Sequence, residues 1–154
     1  MCIVFKRVET ESEAEILRGI RNSCKDFMTR DCSYISEEQQ KRWFKNLAKT
    51  IDIFLLYKIE HGVIVDPIGY GLIKQEPTEY LISGGLLPDA RGKGYGGILF
   101  ELLLQNIKPD LPIKLEVLKS NNRAFVIYNK LGFVVTSDNG YIITMEYNKE
   151  DSSI

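Results

Sequence analysis

The feature that most constrains the fold of this chain is a glycine-rich segment between a strand-like run and a helix-like run. Four of the six residues 92–97 are glycines, and the whole segment reads Arg91-Gly92-Lys93-Gly94-Tyr95-Gly96-Gly97. Glycines let a backbone approach a ligand closely, and the following helix begins with unpaired N–H groups at the positive end of its dipole. With the charges of Arg91 and Lys93, this junction suits a phosphate or pyrophosphate group. A tight turn that binds nothing explains the same residues, so the segment alone does not decide.

Spacing excludes two familiar nucleotide-binding loops. No Gly-Lys-Ser/Thr follows the glycines at the spacing of a P-loop. The segment also does not follow the first strand of the chain with an acidic residue about 20 residues later, as a Rossmann fingerprint would.

Composition indicates one globular domain. The chain has 154 residues, of which 44% are hydrophobic and 27% charged, and we expect a domain over residues 1–148 with a flexible tail over 149–154. The net charge of -1 provides no basic field for nucleic acid or a membrane surface. Without a membrane-length apolar run or a signal-peptide layout at the N-terminus, we expect a cytoplasmic location. The three cysteines are odd in number and lack metal-ligand spacing, so neither a disulfide framework nor a metal site is expected.

Periodicity and turn signals predict the element order β, α, α, β, β, β, α, β, α, β, β. This order favours an α/β fold with a mixed central sheet and helices on both faces. Pro67 and Gly69 within the third strand suggest a bulge or an edge position. The predicted strands cover residues 3–8, 51–59, 63–75, 80–87, 113–118, 133–136 and 141–147, and the predicted helices cover 12–20, a segment from Ser36, 94–107 and 121–131.

Two motifs together resemble a known family. Arg91, Gly94 and Gly96 fit Arg/Gln-x-x-Gly-x-Gly/Ala, which resembles the acyl-CoA pyrophosphate loop of the GNAT superfamily of N-acyltransferases. Further on, a strand is followed by residues 121–133, which resemble the superfamily pattern Asn-x-x-Ala-x-x-Leu-Tyr-x-x-x-Gly-Phe. The motifs occur in the expected order and with the expected gap. The similarity covers about residues 78–147, and the first half agrees only in general pattern.

This resemblance implies a fold and a cofactor site. The fold would be a single-domain, mostly antiparallel central sheet in which strands 80–86 and 113–118 are splayed to admit the pantetheine arm of acetyl-CoA. The loop 91–97 would hold the pyrophosphate, and the backbone of Gly84, Gly85 and Leu86 would pair with pantetheine, with the Leu86 N–H polarising the thioester carbonyl. Gly84-Gly85 departs from the bulkier residues common in the family, which suggests a bulge or more room for substrate. Asn121 would contact the cofactor, cap the next helix, or do both.

Transfer to an amine requires a base and an acid. A primary amine has a pKa of about 10.4, and deprotonating it at pH 7 costs roughly 4 to 5 kcal/mol. Glu116, in an otherwise apolar strand, is a candidate base or a solvent-facing carboxylate paired with Lys114. Tyr128, twelve residues later, is a candidate acid toward the leaving sulfur or a packing aromatic with a hydrated hydroxyl.

The resemblance favours function for both residues. Ribosomal-protein alanine N-acetyltransferases place a base Glu and an acid Tyr at this separation. Glu76, Glu79 and an ordered water are alternative bases.

The expected activity is N-acetyl transfer from acetyl-CoA to a primary amine of a small molecule, by direct attack in a ternary complex. A protein N-terminus or lysine as acceptor, and a non-catalytic acyl-CoA-binding module, are the alternatives, and a homodimer stays open. Clustered cations in the first half would suit an anionic acceptor, but solvated surface charge is favoured for them: Arg21, Lys25, Arg30, Lys41 and Arg42.

Overall fold

The computed structural model describes residues 2–30, 33–108 and 110–148. Its strands are β1 Ile3–Arg7, β2 Ile51–Glu60, β3 Val63–Gln75, β4 Tyr80–Leu86, β5 Ile113–Leu118, β6 Phe133–Asp138 and β7 Ile142–Tyr147. Its α-helices are α1 Glu11–Ser23, α2 Glu37–Lys45, α3 Tyr95–Gln105 and α4 Asn122–Leu131, and short 3₁₀ turns occupy Lys25–Phe27 and Pro88–Ala90. The predicted element order is therefore confirmed.

The seven strands form one mixed sheet in the order β1-β2-β3-β4-β5-β7-β6. All neighbouring strands are antiparallel except β4 and β5, which are parallel. The β4–β5 pairing is limited to Tyr80↔Ile113 and Leu81↔Lys114, although both strands continue beyond it. The predicted opening between these strands is confirmed.

Local signals explain several of the element boundaries. Thr10 and Ser36 each form a capping box with the residue three positions later, which satisfies N–H groups at the starts of α1 and α2. His61 and Gly62 both have positive φ in the two-residue turn between β2 and β3, as a type I′ turn requires. Gly132 ends α4 in the left-handed conformation.

Hydrophobic residues form two clusters on opposite faces of the sheet. Alternation along β2 sends Ile53 and Leu55 to the cluster that packs against α1, and Phe54 and Leu56 to the cluster that packs against α3 and α4. Both faces of the central strands are therefore buried, which explains the near-continuous apolar sequence of β2. The prediction of helices on both faces is confirmed.

Two irregularities were expected in the sheet, and one is present. The register between β2 and β3 shifts where Tyr57 faces Pro67, which confirms the bulge suggested there. The bulge suggested for Gly84-Gly85 is wrong, because β3 and β4 pair without a shift from Gly69 to Gln75. Tight packing from both faces accounts for these two glycines, as described below.

The predicted flexible tail over 149–154 lies outside the described residues. No helix within residues 2–30, 33–108 and 110–148 is both long enough and apolar enough to cross a membrane.

Candidate active site

A cavity of about 980 Å³ passes through the sheet where β4 and β5 separate. Its walls on the α1 face include Cys24, Met28, Tyr70 and Leu72, which belong to one hydrophobic cluster. Its walls on the opposite face belong to the other cluster and include Ile82, Leu99, Phe100, Leu115, Val117, Ala124 and Tyr128. One continuous space is thus reached from both faces of the sheet, and its size suits a small-molecule site.

The β4 backbone presents polar groups to this opening. Gly69 faces Leu86 in the β3–β4 ladder, and the Leu87 N–H donates to the Ile68 carbonyl at 2.8 Å. This pattern makes Gly69 and Leu86 a non-hydrogen-bonded pair, in which N–H and C=O groups point away from the partner strand. The same alternation applies to Gly84. The N–H groups of Gly84 and Leu86 therefore face the opening, beyond the point where β5 pairs with β4.

The glycine-rich loop forms one end of the cavity. Gly92 and Gly94 have φ values of +75° and +90°, and Gly94 is the N-cap of α3 without a side-chain capping bond. The first N–H groups of α3 are therefore available to an anion. Arg91, Gly92, Gly94 and Gly96 line the cavity, whereas Lys93, Tyr95 and Gly97 do not.

Loop side chains that the sequence grouped together have different surroundings. Tyr95 is only 6% exposed, so its side chain belongs to the core. Lys93 is exposed. Gly96 packs closely against α4, because a Cβ there would lie 3.1 Å from Ile127 Cδ1.

The Arg91 side chain anchors the loop to the protein. Its Nε donates to the Leu86 carbonyl at 3.1 Å and its Nη2 to the Ser23 carbonyl at 3.2 Å. The guanidinium also lies 4.7 Å from the centre of the Phe27 ring. Arg91 therefore connects the end of β4 to the end of α1 through hydrogen bonds from Nε and Nη2.

A cation that sequence reasoning did not single out lies beside the loop. A Cβ at Gly92 would be 3.6 Å from Nη1 of Arg123, which is exposed and lines the cavity. Arg123 belongs to the second motif only as a variable position, so only its place at the start of α4 brings it to the loop. It offers a guanidinium toward any anion held there.

Asn121 lies at the same end of the cavity. Its side-chain oxygen accepts a hydrogen bond from the Ala124 N–H at 3.3 Å, which makes it the N-cap of α4. It also lines the cavity. The capping prediction is therefore confirmed.

Tyr128 is on the α4 side of the opening. Its ring packs edge-on against Phe100, with 4.7 Å between ring centroids, and against Phe133 at 6.2 Å. The described part of the chain supplies no hydrogen-bond partner for its hydroxyl. Burial, with a smaller contribution from Tyr70, raises the pKa of the Tyr128 phenol, so the hydroxyl keeps its proton at neutral pH.

Glu116 is on the opposite side of the opening. Alternation along β5 sends Leu115 and Val117 to the α3–α4 cluster and Glu116 toward α1. There it accepts hydrogen bonds from Thr29 Oγ1 at 3.1 Å and from Arg30 Nε at 2.9 Å.

These donors set the charge of Glu116. The Arg30 guanidinium, helped by Thr29 and opposed by partial burial, lowers the pKa of the Glu116 carboxyl. The carboxylate is therefore ionised at neutral pH.

Other carboxylates considered from the sequence lie elsewhere. Lys114 pairs with Glu79 at 3.3 Å and not with Glu116, and Lys74 pairs with Glu76 at 3.4 Å. Neither Glu76 nor Glu79 lines the cavity. Among the acidic residues that the structure describes, Glu116 is the one in the cavity wall.

The double glycine of β4 is required by packing. A Cβ at Gly85 would lie 2.7 Å from Cys24 Sγ and 3.1 Å from Tyr70 Cε1. A Cβ at Gly84 would lie 2.7 Å from the Tyr70 carbonyl oxygen and 3.0 Å from Leu99 Cδ2. The sheet is therefore pressed from both faces where the cavity crosses it.

We expect Gly85→Ala to destabilise the protein by about 1–3 kcal/mol, because the added methyl would overlap with the side chains of Cys24 and Tyr70. Gly19 is the matched control: it lies in α1, and a Cβ there meets nothing within 4 Å. Gly19→Ala should stabilise by roughly 0.5–1 kcal/mol through helix propensity. Urea unfolding of both variants measures the difference, and equal stabilities would contradict the packing argument.

Comparisons with known proteins identify the family and the fold. The sequence profile of the Acetyltransferase (GNAT) family matches residues 17–133. A search of curated proteins found no significant match.

Solved structures share the fold at low sequence identity. A domain from Methanocaldococcus jannaschii superposes with a TM-score of 0.80 at 18% identity, covering 94% of this chain and 98% of that one. Campylobacter jejuni N-acetyltransferase PseH, solved with acetyl coenzyme A, gives 0.70 at 19% identity, covering 96% and 99%. Vibrio cholerae spermidine N-acetyltransferase, solved with CoA and spermine, gives 0.77 at 16% identity, covering 99% and 98%.

Each of these identities is below the level at which substrate could be inferred, so the superpositions support the fold. The family profile spans most of the chain, including the glycine-rich loop and the Asn121–Phe133 motif. Acetyl-CoA is the acetyl donor that this family uses. The chain belongs to the GNAT acetyltransferase family.

Proposed function

We propose that this protein is an N-acetyltransferase that moves an acetyl group from acetyl-CoA to a primary amine of a small molecule, by direct attack in a ternary complex. The observation that carries the proposal is the cavity through the sheet. It joins a donor side, under the glycine-rich loop, to an acceptor side beneath α1. Donor and acceptor can then meet at the opening between β4 and β5 without leaving the protein.

The residues present fit acetyl-CoA. The N–H groups at the start of α3, with Arg123, would hold the pyrophosphate, and Arg91 would keep the loop in place. The outward N–H groups of Gly84 and Leu86 would pair with the pantetheine arm. When bound, acetyl-CoA supplies an activated thioester. The Leu86 N–H would stabilise negative charge on the carbonyl oxygen during attack.

Two side chains would transfer the protons of the reaction. Glu116, ionised and on the acceptor side, would accept the proton of the amine directly or through water. Tyr128, protonated and on the donor side, would donate a proton toward the departing thiolate. Asn121 and the loop residues that line the cavity, Gly92, Gly94 and Gly96, would contribute backbone or amide contacts to the cofactor.

The proposal is tested by thiol release from acetyl-CoA in the presence of a panel of amines. The panel contains amino acids and their amides, polyamines, amino-sugar nucleotides and short peptides with a free N-terminus or lysine. CoA binding is measured in parallel by calorimetry. Amine-dependent thiol release with acetylated product detected by mass spectrometry is the expected result.

Other outcomes separate the alternatives. Release only with peptides would replace the small-molecule acceptor with a protein N-terminus or lysine. Tight CoA binding without turnover of any amine would support a non-catalytic acyl-CoA-binding module. An absence of CoA binding would overturn the proposal altogether.

The pH dependence tests the assignment of Glu116. Removal of the guanidinium in Arg30→Gln should raise the pKa of the Glu116 carboxyl toward its ordinary value of 4.5. Since the base must be ionised, activity is lost as pH falls through this pKa. The acidic limb of the kcat/KM profile should therefore move to higher pH in the variant.

Lys114→Gln is the control for that profile. Lys114 lies on the same strand, pairs with Glu79 and is outside the cavity wall, so its loss should leave the acidic limb in place. An unchanged limb in Arg30→Gln would assign the proton transfer to water or to another group. Glu116→Gln should abolish the limb and lower kcat/KM about 10²-fold or more if Glu116 is the base.

A further inference from the structure

The acceptor side of the cavity carries more positive charge than its own carboxylates neutralise. Three cations line it: Arg21, Arg30 and Lys74. Arg30 pairs with Glu116 at 2.9 Å and Lys74 with Glu76 at 3.4 Å. None of the ion pairs within residues 2–30, 33–108 and 110–148 includes Arg21.

Arg21 is held inside the wall of the cavity. It lies in the last turn of α1 and is partly buried, and its Nε is fully shielded from solvent without a hydrogen-bond partner in the described part of the chain. Its guanidinium lies 6.0 Å from the centre of the Trp43 ring. Burial raises the pKa of the Tyr70 phenol, and the positive charge of Arg21 together with a side-chain hydrogen bond from it opposes that rise, so the guanidinium lies close to the hydroxyl of this cavity-lining residue.

Other cations of the first half do not share this position. Lys25, Lys41 and Arg42 are exposed and lie outside the cavity wall. Of the five cations clustered in the sequence, only Arg21 and Arg30 therefore line the cavity. Solvated surface charge describes the exposed members, but it does not describe Arg21, which is partly buried in the cavity wall and has no ion-pair partner among the described residues.

We infer that the acceptor is a small amine that also carries an oxyanion group, a carboxylate or a phosphate, and that Arg21 binds this group. This inference rests on the proposed function, since it names the class of its acceptor. An oxyanion satisfies the guanidinium through charge-assisted hydrogen bonds. Anchoring the oxyanion at Arg21, below the end of α1, leaves the amine of the same molecule to reach the opening and Glu116.

The test compares amines that carry the oxyanion with counterparts that lack it. One series pairs glycine, β-alanine and γ-aminobutyrate with their amides, which varies the distance from amine to carboxylate. A second series pairs phosphoethanolamine with ethanolamine. Both kcat/KM for acetylation and binding to the CoA-loaded protein are measured. At least one carboxylate or phosphate should be favoured over its neutral partner by about tenfold or more.

Variants assign that preference to Arg21. Arg21→Gln should reduce the preference for the oxyanion about 10- to 100-fold, mainly through KM. Arg21→Lys should restore part of it, because the positive charge returns. Lys25→Gln, an exposed neighbour outside the cavity, should leave the preference unchanged. The ionic-strength dependence of the wild-type preference provides a reading that does not depend on whether the variants fold.

The results of this test distinguish failure of the oxyanion inference from failure of the proposed acetyltransferase activity. Equal or better turnover of the neutral amines by the wild-type protein would overturn the oxyanion acceptor while leaving N-acetyl transfer intact. If the preference for the oxyanion is unchanged in Arg21→Gln, Arg21 does not bind the oxyanion. If that variant only has a lower melting temperature, the role of Arg21 is to pack on Trp43. CoA binding without turnover of any amine, together with selective binding of the oxyanion amines, would contradict the proposed function but support the anion site.

Discussion

Tyr128→Phe is expected to lower kcat about 10²- to 10⁴-fold while the protein remains folded and binds CoA. The change removes only a hydroxyl that has no hydrogen-bond partner in the described part of the chain, and it keeps the ring contacts with Phe100 and Phe133. The lost group is the proposed proton donor toward the departing thiolate. Thiol release under saturating acetyl-CoA, with CoA binding measured by calorimetry, checks the result.

A second tyrosine offers a matched control. Tyr147 packs against the same Phe133 ring, with 5.3 Å between centroids, and does not line the cavity. Tyr147→Phe should retain kcat within about twofold of the wild type, as for a site outside the reacting geometry. If Tyr128→Phe also retained kcat, water or another group would have to protonate the leaving sulfur.

The second large effect concerns Arg91. Arg91→Met should lower the free energy of unfolding by about 1.5–3 kcal/mol, because it removes charged hydrogen bonds to the Leu86 and Ser23 carbonyls. It should also weaken CoA binding, since the loop loses its attachment to β4 and α1. Urea unfolding and calorimetric titration with CoA measure the two effects.

The Arg123→Gln variant distinguishes attachment of the loop from direct electrostatic attraction of CoA. Arg123 lies beside Gly92 but is exposed, so Arg123→Gln should weaken CoA binding and leave the free energy of unfolding within about 0.5 kcal/mol. Its effect should diminish at high salt, as expected for a solvent-accessible charge. A stability loss in Arg123→Gln equal to that in Arg91→Met would contradict this division of roles.

Two charged residues show the limit of prediction for the site. Glu116 was expected in a strand, with Lys114 as its partner if it served structure. Its actual partners, Thr29 and Arg30, are 87 and 86 residues away along the chain. Arg91 was expected to add charge for a phosphate, yet its guanidinium bonds to protein carbonyls. Neither pairing has a local signal, because each depends on where α1 ends relative to β4 and β5.

The sequence by itself determined the element order, the two motifs and hence the family. These features depend on interactions within a few residues: capping at Thr10 and Ser36, left-handed glycines at 92, 94 and 132, and alternation along β2. Tertiary structure alone decided that Gly84 and Gly85 are packed from both faces of the sheet. It also decided that Arg123 lies beside the loop. Arg21 lines the cavity while Lys25 does not, and this too depends on the tertiary structure. The physical reason is that side-chain partners and shielding from solvent are set by elements distant in sequence, which local periodicity does not encode.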